Sequence, residues 1–81
     1  MAGTLYLVGT PIGNLGDLSP RAAETLEKVD FIAAEDTRVT LKLLSHLGIK
    51  KELVSYHEHN QRQRGPQILE RLQNGESCAL C

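Results

Sequence analysis

The 81-residue chain predicts an α/β fold, with a parallel sheet flanked by helices in three layers. Two observations carry this. Short β-branched or apolar runs alternate with helical patterns in the order β-α-β-α-β-α-β, and the connections between them are only a few residues long. Parallel strands joined by right-handed helical crossovers satisfy both. The length allows one domain at most.

Each element has its own local reason. Leu5-Tyr6-Leu7-Val8 reads as a buried strand ended by Gly9 and Pro11. Ser19 caps a helix with Pro20 at its first position, and Leu18, Ala22, Leu26 and Val29 form its apolar stripe. Asp30-Phe31-Ile32-Ala33-Ala34 is the second strand. Asp36 or Thr37 caps the next helix, with Val39, Leu43 and Leu47 on one face, Leu44 beside them and Gly48 as its stop. Leu53-Val54-Ser55-Tyr56 is the third strand. A third helix runs to Leu72 with Ile68, Leu69 and Leu72 apolar; Pro66 marks either its start or a kink after a turn from Asn60. The fourth strand is Ser77 to Cys81, and no helix follows to cover it. The chain therefore reads as the first part of a larger domain, and by itself is expected to be inactive.

Composition narrows the function classes. With 41% apolar and 23% charged residues, the chain is ordinary globular protein and not a disordered tail. No apolar run approaches the roughly 20 residues of a membrane span. Met1-Ala2-Gly3-Thr4 carry no basic stretch, which argues against a secretory signal. The net charge of −1 does not announce a nucleic-acid binder, although a local basic patch is compatible with it. Cys78 and Cys81 stand three apart on a strand and so face opposite sides, which fits buried strand residues better than a redox or zinc pair. A reducing cytoplasm is the expected compartment.

In open parallel α/β sheets, ligands bind beyond the carboxyl ends of the strands. Three polar clusters fall at that edge: residues 9–17 with glycines at 9, 13 and 16, then Glu35-Asp36-Thr37-Arg38, then His57-Glu58-His59-Asn60. The glycine loop is neither a dinucleotide fingerprint nor a Walker loop, and a tight turn without ligand explains it equally well. Asp36 and Thr37 are good helix caps. Arg38 is not explained that way, because the helix dipole disfavours a cation there by about a few tenths of a kcal/mol. Its anionic partner is Glu35, Asp36 or a ligand phosphate. His57 and His59 share a face if strand geometry continues, but no third ligand stands near, so no metal is expected. Arg62 and Arg64, with Arg38, would add local positive charge.

The segments Leu5 to Leu15 with Asp17, Asp30 to Arg38, and Tyr56 to Asn60 resemble the bacterial ribosomal RNA small subunit methyltransferase I group. The combination of T-P-I-G-N-L, A-E-D-T-R and H-E-H-N in this order carries the resemblance, which covers essentially the whole chain. That group lies in the tetrapyrrole methylase superfamily of class III methyltransferases. The resemblance implies an incomplete N-terminal domain, with a second domain missing, and S-adenosylmethionine as cofactor. It implies 2′-O-methylation of a cytidine ribose in small-subunit rRNA, and a homodimer. Thr10, Pro11, Ile12 and Gly13 are then the cofactor contacts, and Asn14, Arg38 and Asn60 the RNA contacts. Asp36, Glu35 and His57 are the candidate bases, with none singled out. Two alternatives remain. Methylation of a tetrapyrrole goes with a G-x-G-x-G-D first loop, which differs from the loop here. A short non-enzymatic protein would keep the fold for binding or oligomerisation.

Overall fold

The computed structural model describes residues 2–9 and 18–81. Strand β1 (Leu5–Leu7), helix α1 (Pro20–Lys28), β2 (Phe31–Ala34), α2 (Thr37–Leu47), β3 (Glu52–Ser55), α3 (Gln61–Gln73) and β4 (Cys78–Leu80) follow in the expected order. The four strands form one sheet in the order β1-β4-β2-β3, and each pairing is parallel. Strand β4 thus lies between β1 and β2.

Strand periodicity divides the core in two. Ile32 and Ala79 pack with Leu26 and Val29 at α1 and with Leu43 and Leu44 of α2. Phe31, Ala33 and Cys78 face the other way, onto Ile68 of α3. Two helices cover one face and the third covers the other, which gives the three layers. All four residues of β2 are buried, as expected for a strand with neighbours on both sides and helices on both faces. Cys78 and Cys81 are free thiols that pack on opposite sides of the sheet.

Local chemistry sets the boundaries. The Ser19 hydroxyl accepts from the Ala22 N–H at 3.1 Å with Pro20 at the first helical position, so α1 starts as expected. Gly48 ends α2 in the left-handed region at φ 73°, where a side chain is strained. Gly3 is required for a different reason: a Cβ there would run into the backbone carbonyl of Glu76. Asp30 lies just before β2 and not in it, and its carboxylate accepts the Ser77 N–H at 2.7 Å at the entry to β4.

Three expectations need correction. Strand β1 is an edge strand and not a buried one: Leu7 is 79% exposed, because β1 has a single strand neighbour, β4. The buried stripe of α2 is Thr40, Leu43 and Leu44 with Leu47 half-buried, while Val39 is 54% exposed. An i, i+3, i+4, i+7 row starting at Thr40 faces the sheet, one position round from the row starting at Val39. Helix α3 takes the earlier of the two starts left open, at Gln61, and continues through Pro66, but Leu69, expected on its apolar face, is exposed. Proline costs that helix one internal hydrogen bond, which the packing of Ile68 and Leu72 offsets.

The amino ends of the strands are tied by a charged cluster. Arg71 of α3 donates to both oxygens of Glu52 at 2.8 and 2.9 Å, and to both of Glu76 at 2.8 and 2.9 Å. Its guanidinium lies 3.8 Å from the centre of the Phe31 ring. Hydrogen bonds from Arg71 hold the Glu52 and Glu76 carboxyls below their usual range. Groups with depressed values stabilise the fold above the unfolded carboxyl pKa of about 4.3, and that contribution is lost as pH falls through the folded values. Arg71→Met is therefore expected to lower Tm at pH 7, and the gap from the parent chain is expected to narrow below about pH 4. Thermal melts across pH check this; an unchanged gap at acid pH would contradict it.

Among the described residues, no helix is long and apolar enough to cross a membrane.

Candidate functional site

Because the four strands run parallel, their carboxyl ends meet at one edge of the sheet, and the polar segments after them are brought together there. Leu80 of β4 lies level with Leu7 of β1 and Ala33 of β2, and Ala34 lies level with Ser55 of β3. A cleft of ≈ 480 Å³ opens above these ends. Its walls include Val8 and Gly9 after β1, Glu35 after β2, Tyr56, His57 and Glu58 after β3, and Cys81 after β4. That volume falls within the range of about 300–1,000 Å³ typical of small-molecule sites. A Cβ at Gly9 would meet no atom of the described residues within 4 Å.

The structure brings Glu35 and His57 into this cleft, whereas Asp36, Arg38 and Asn60 do not line it. Asp36 lies next door, in a pocket of ≈ 250 Å³ that also touches Glu35 and Cys81. It is the N-cap of α2, and its Oδ1 accepts the Arg38 N–H at 3.0 Å. That hydrogen bond holds its carboxyl below the usual value, helped by the nearby Arg38 charge. A carboxylate stabilised this way is a weaker base.

Arg38 does not line the cleft. Its Nε lies 3.6 Å from Asp36 Oδ1, but its side chain is 90% exposed, so the pair is loose and the guanidinium is free to take another anion. It lines a groove of ≈ 500 Å³ along β3 together with Arg64. Two of the three arginines singled out from the sequence thus share one surface. The expectations for Thr10, Pro11, Ile12, Gly13 and Asn14 concern positions outside the described residues.

Strand geometry does not continue through His57 and His59 as the sequence suggested, because Asn60 folds the segment into a turn. Asn60 Oδ1 accepts the His57 N–H at 2.8 Å, and Nδ2 donates to the Ser55 carbonyl at 3.1 Å and to Ser55 Oγ at 3.0 Å. The carboxamide is occupied within the chain. The two imidazoles meet edge to face, with centroids 5.9 Å apart. Among the described residues, no group of three or more His, Cys, Asp or Glu is placed to hold a metal ion.

Cys81 is the wall residue that sequence reasoning missed as part of the site. It read as core because it belongs to an apolar run, and only the register of β4 shows that the strand's carboxyl end opens into the cleft. Burial pushes its thiol up to about 11, so at neutral pH it is an uncharged wall and not a nucleophile.

A sequence model of the Tetrapyrrole (Corrin/Porphyrin) Methylases matches residues 4–81. The chain is 59% identical over 78 residues to the ribosomal RNA small subunit methyltransferase I of Synechocystis sp., covering 96% of this chain and 28% of that protein. It is 53% identical over 79 residues to the protein of the same name from Pseudomonas aeruginosa, covering 98% of this chain and 28% of the relative. For the Escherichia coli O157:H7 protein of that name the figures are 53% over 78 residues, 96% and 27%. The chain thus spans little more than a quarter of the length of these curated relatives. With a match that runs across all four strands and the cleft they form, the chain belongs to the tetrapyrrole methylase family.

Proposed function

We propose that the protein containing this chain transfers a methyl group from S-adenosylmethionine to the ribose 2′-hydroxyl of a cytidine in small-subunit rRNA. The single observation that carries the reading is the 50–59% identity to ribosomal RNA small subunit methyltransferase I relatives across nearly every residue of the chain. The volume of the cleft fits a nucleoside-sized cofactor. When bound, S-adenosylmethionine supplies an electrophilic methyl group on a sulfonium.

The chain's own residues have three tasks in this reading. Thr10, Pro11, Ile12 and Gly13, continuing from Gly9, contact the cofactor through the loop backbone. Glu35, held by the buried end of β2, accepts the proton of the ribose hydroxyl and so makes it a nucleophile. Arg38, Arg64 and Asn14 hold the RNA, the arginines by hydrogen bonds to phosphate. Asn60 supports the turn at His57 in place of a direct RNA contact. The reading includes a homodimer in the cytoplasm.

The test is methyl transfer by the complete protein to small ribosomal subunits lacking the modification, with the product nucleoside identified. Methylation of another position, or of none, would refute the reading. Arg38→Ala is expected to weaken RNA binding and to flatten its salt dependence by about one unit of slope, or less for a single strand, with the fold unchanged. An unchanged slope would remove Arg38 from the RNA surface. The name of the family favours a second reading, methylation of a tetrapyrrole. Turnover of a tetrapyrrole and not of rRNA in the same assay would select it.

A further inference from the structure

A backbone N–H can only donate, so the ring nitrogen that accepts from it carries no proton. In the turn after β3, the His59 N–H donates to His57 Nδ1 at 3.2 Å. A neutral His57 in this geometry therefore carries its proton on Nε2. The turn that makes the contact is held by Asn60, whose carboxamide takes the His57 N–H at 2.8 Å and clasps the Ser55 carbonyl and hydroxyl at the end of β3. Asn60 also precedes the first turn of α3 without capping it by its side chain, so the carboxamide is committed to the turn. His57 itself is half-buried in the cleft wall, near Glu35 and Gly9.

We propose that Asn60 is a positioning residue that fixes His57 as a hydrogen-bond donor to an acceptor oxygen of the bound ligand, and so excludes His57 as the general base. The inference rests on the cleft's role in the proposed function. It divides the polar groups of the cleft: His57 donates, and Glu35 is left to accept a proton. Among the described residues, the other titratable groups at the cleft are Tyr56, Glu58 and Cys81, with His59 beside the ring. No side chain among them bonds His57 Nδ1, which the backbone N–H of His59 holds.

The direct test is two-bond proton–nitrogen correlation on the chain labelled with ¹⁵N-histidine, recorded where the rings are neutral. The chain has three histidines, so His57→Gln assigns the signal. A single Nε2–H form for His57, lost to a mixture of forms in Asn60→Ala, is the expected result. An Nδ1–H form or a mixture in the unaltered chain would overturn the proposal. A single Nε2–H form that survives in folded Asn60→Ala would remove the role of Asn60. Asn60→Asp keeps the oxygen that accepts the His57 N–H and is expected to retain the single form; it serves if the alanine variant fails to fold. In the complete protein, His57→Ala is expected to weaken binding of S-adenosylmethionine or of RNA about tenfold, and whichever affinity falls identifies the source of the acceptor oxygen. Glutamine, which places an N–H near the position of Nε2, is expected to recover most of that loss; no recovery would overturn the donor role. The tautomer is read without turnover, so a protein that transfers no methyl group refutes the proposed function while the spectrum still decides this inference.

Discussion

Phe31→Ala is expected to remove about 3–5 kcal/mol of stability, a large share of what a chain of this length holds. Phe31 is fully buried at the start of the central strand β2, between Glu52 of β3 and Cys78 of β4. Its ring packs in the core cluster with Ile68 and lies beneath the Arg71 guanidinium. Truncating a buried phenylalanine costs about 3–5 kcal/mol, because transferred area and packing are lost together. A domain of this size has about 4–12 kcal/mol of stability in all. Urea titration followed by circular dichroism measures the loss, with the exposed Leu41→Ala as the control expected to change little. A loss below about 1 kcal/mol for Phe31→Ala would contradict the assignment of this residue to the core.

Glu35→Gln is expected to lower methyl transfer by about 10²–10⁴-fold while leaving S-adenosylmethionine affinity within a few-fold, since glutamine keeps the shape but accepts no proton. Asp36→Asn is expected to cost far less. Asparagine caps a helix about as well as aspartate, and the carboxylate it replaces is committed to the Arg38 N–H. Single-turnover rates on the complete protein separate the two. A large loss in Asp36→Asn with a small one in Glu35→Gln would reverse the assignment of the base. The contrast has a simple origin. Of two adjacent carboxylates at the end of one strand, Glu35 lines the cleft, while Asp36 is bound to the first turn of the helix that follows.

Much of this was legible in the residues, for reasons that can be named. Ser19-Pro20, Asp36 and Gly48 mark helix ends through interactions within a few positions of themselves, so their signals survive without knowledge of the fold. The clustering of Glu35 to Arg38 with His57 to Asn60 was legible because parallel topology dictates which edge each loop occupies. What depended on the sheet order was hidden. β1 pairs with β4, the strand farthest from it in sequence, so nothing local shows that Leu7 stands at an open edge. Arg71 was silent for the same reason: one of its carboxylate partners, Glu52, is 19 residues away, and Phe31 is farther still. The turn at Asn60 was misread because an alternating H-x-H looks extended. A carboxamide that reaches back to Ser55 overrides that pattern.

In the complete protein, the carboxyl edge of the sheet is expected to be a wall of the cofactor site and the amino edge is not. Amide chemical shifts of the complete protein, titrated with S-adenosylmethionine, test it most directly. Signals of Gly9, Glu35, His57 and Cys81 are expected to move with a common affinity, while those of Glu52, Arg71 and Glu76 stay in place. Shifts centred on the Arg71 cluster, with the cleft residues unmoved, would contradict it.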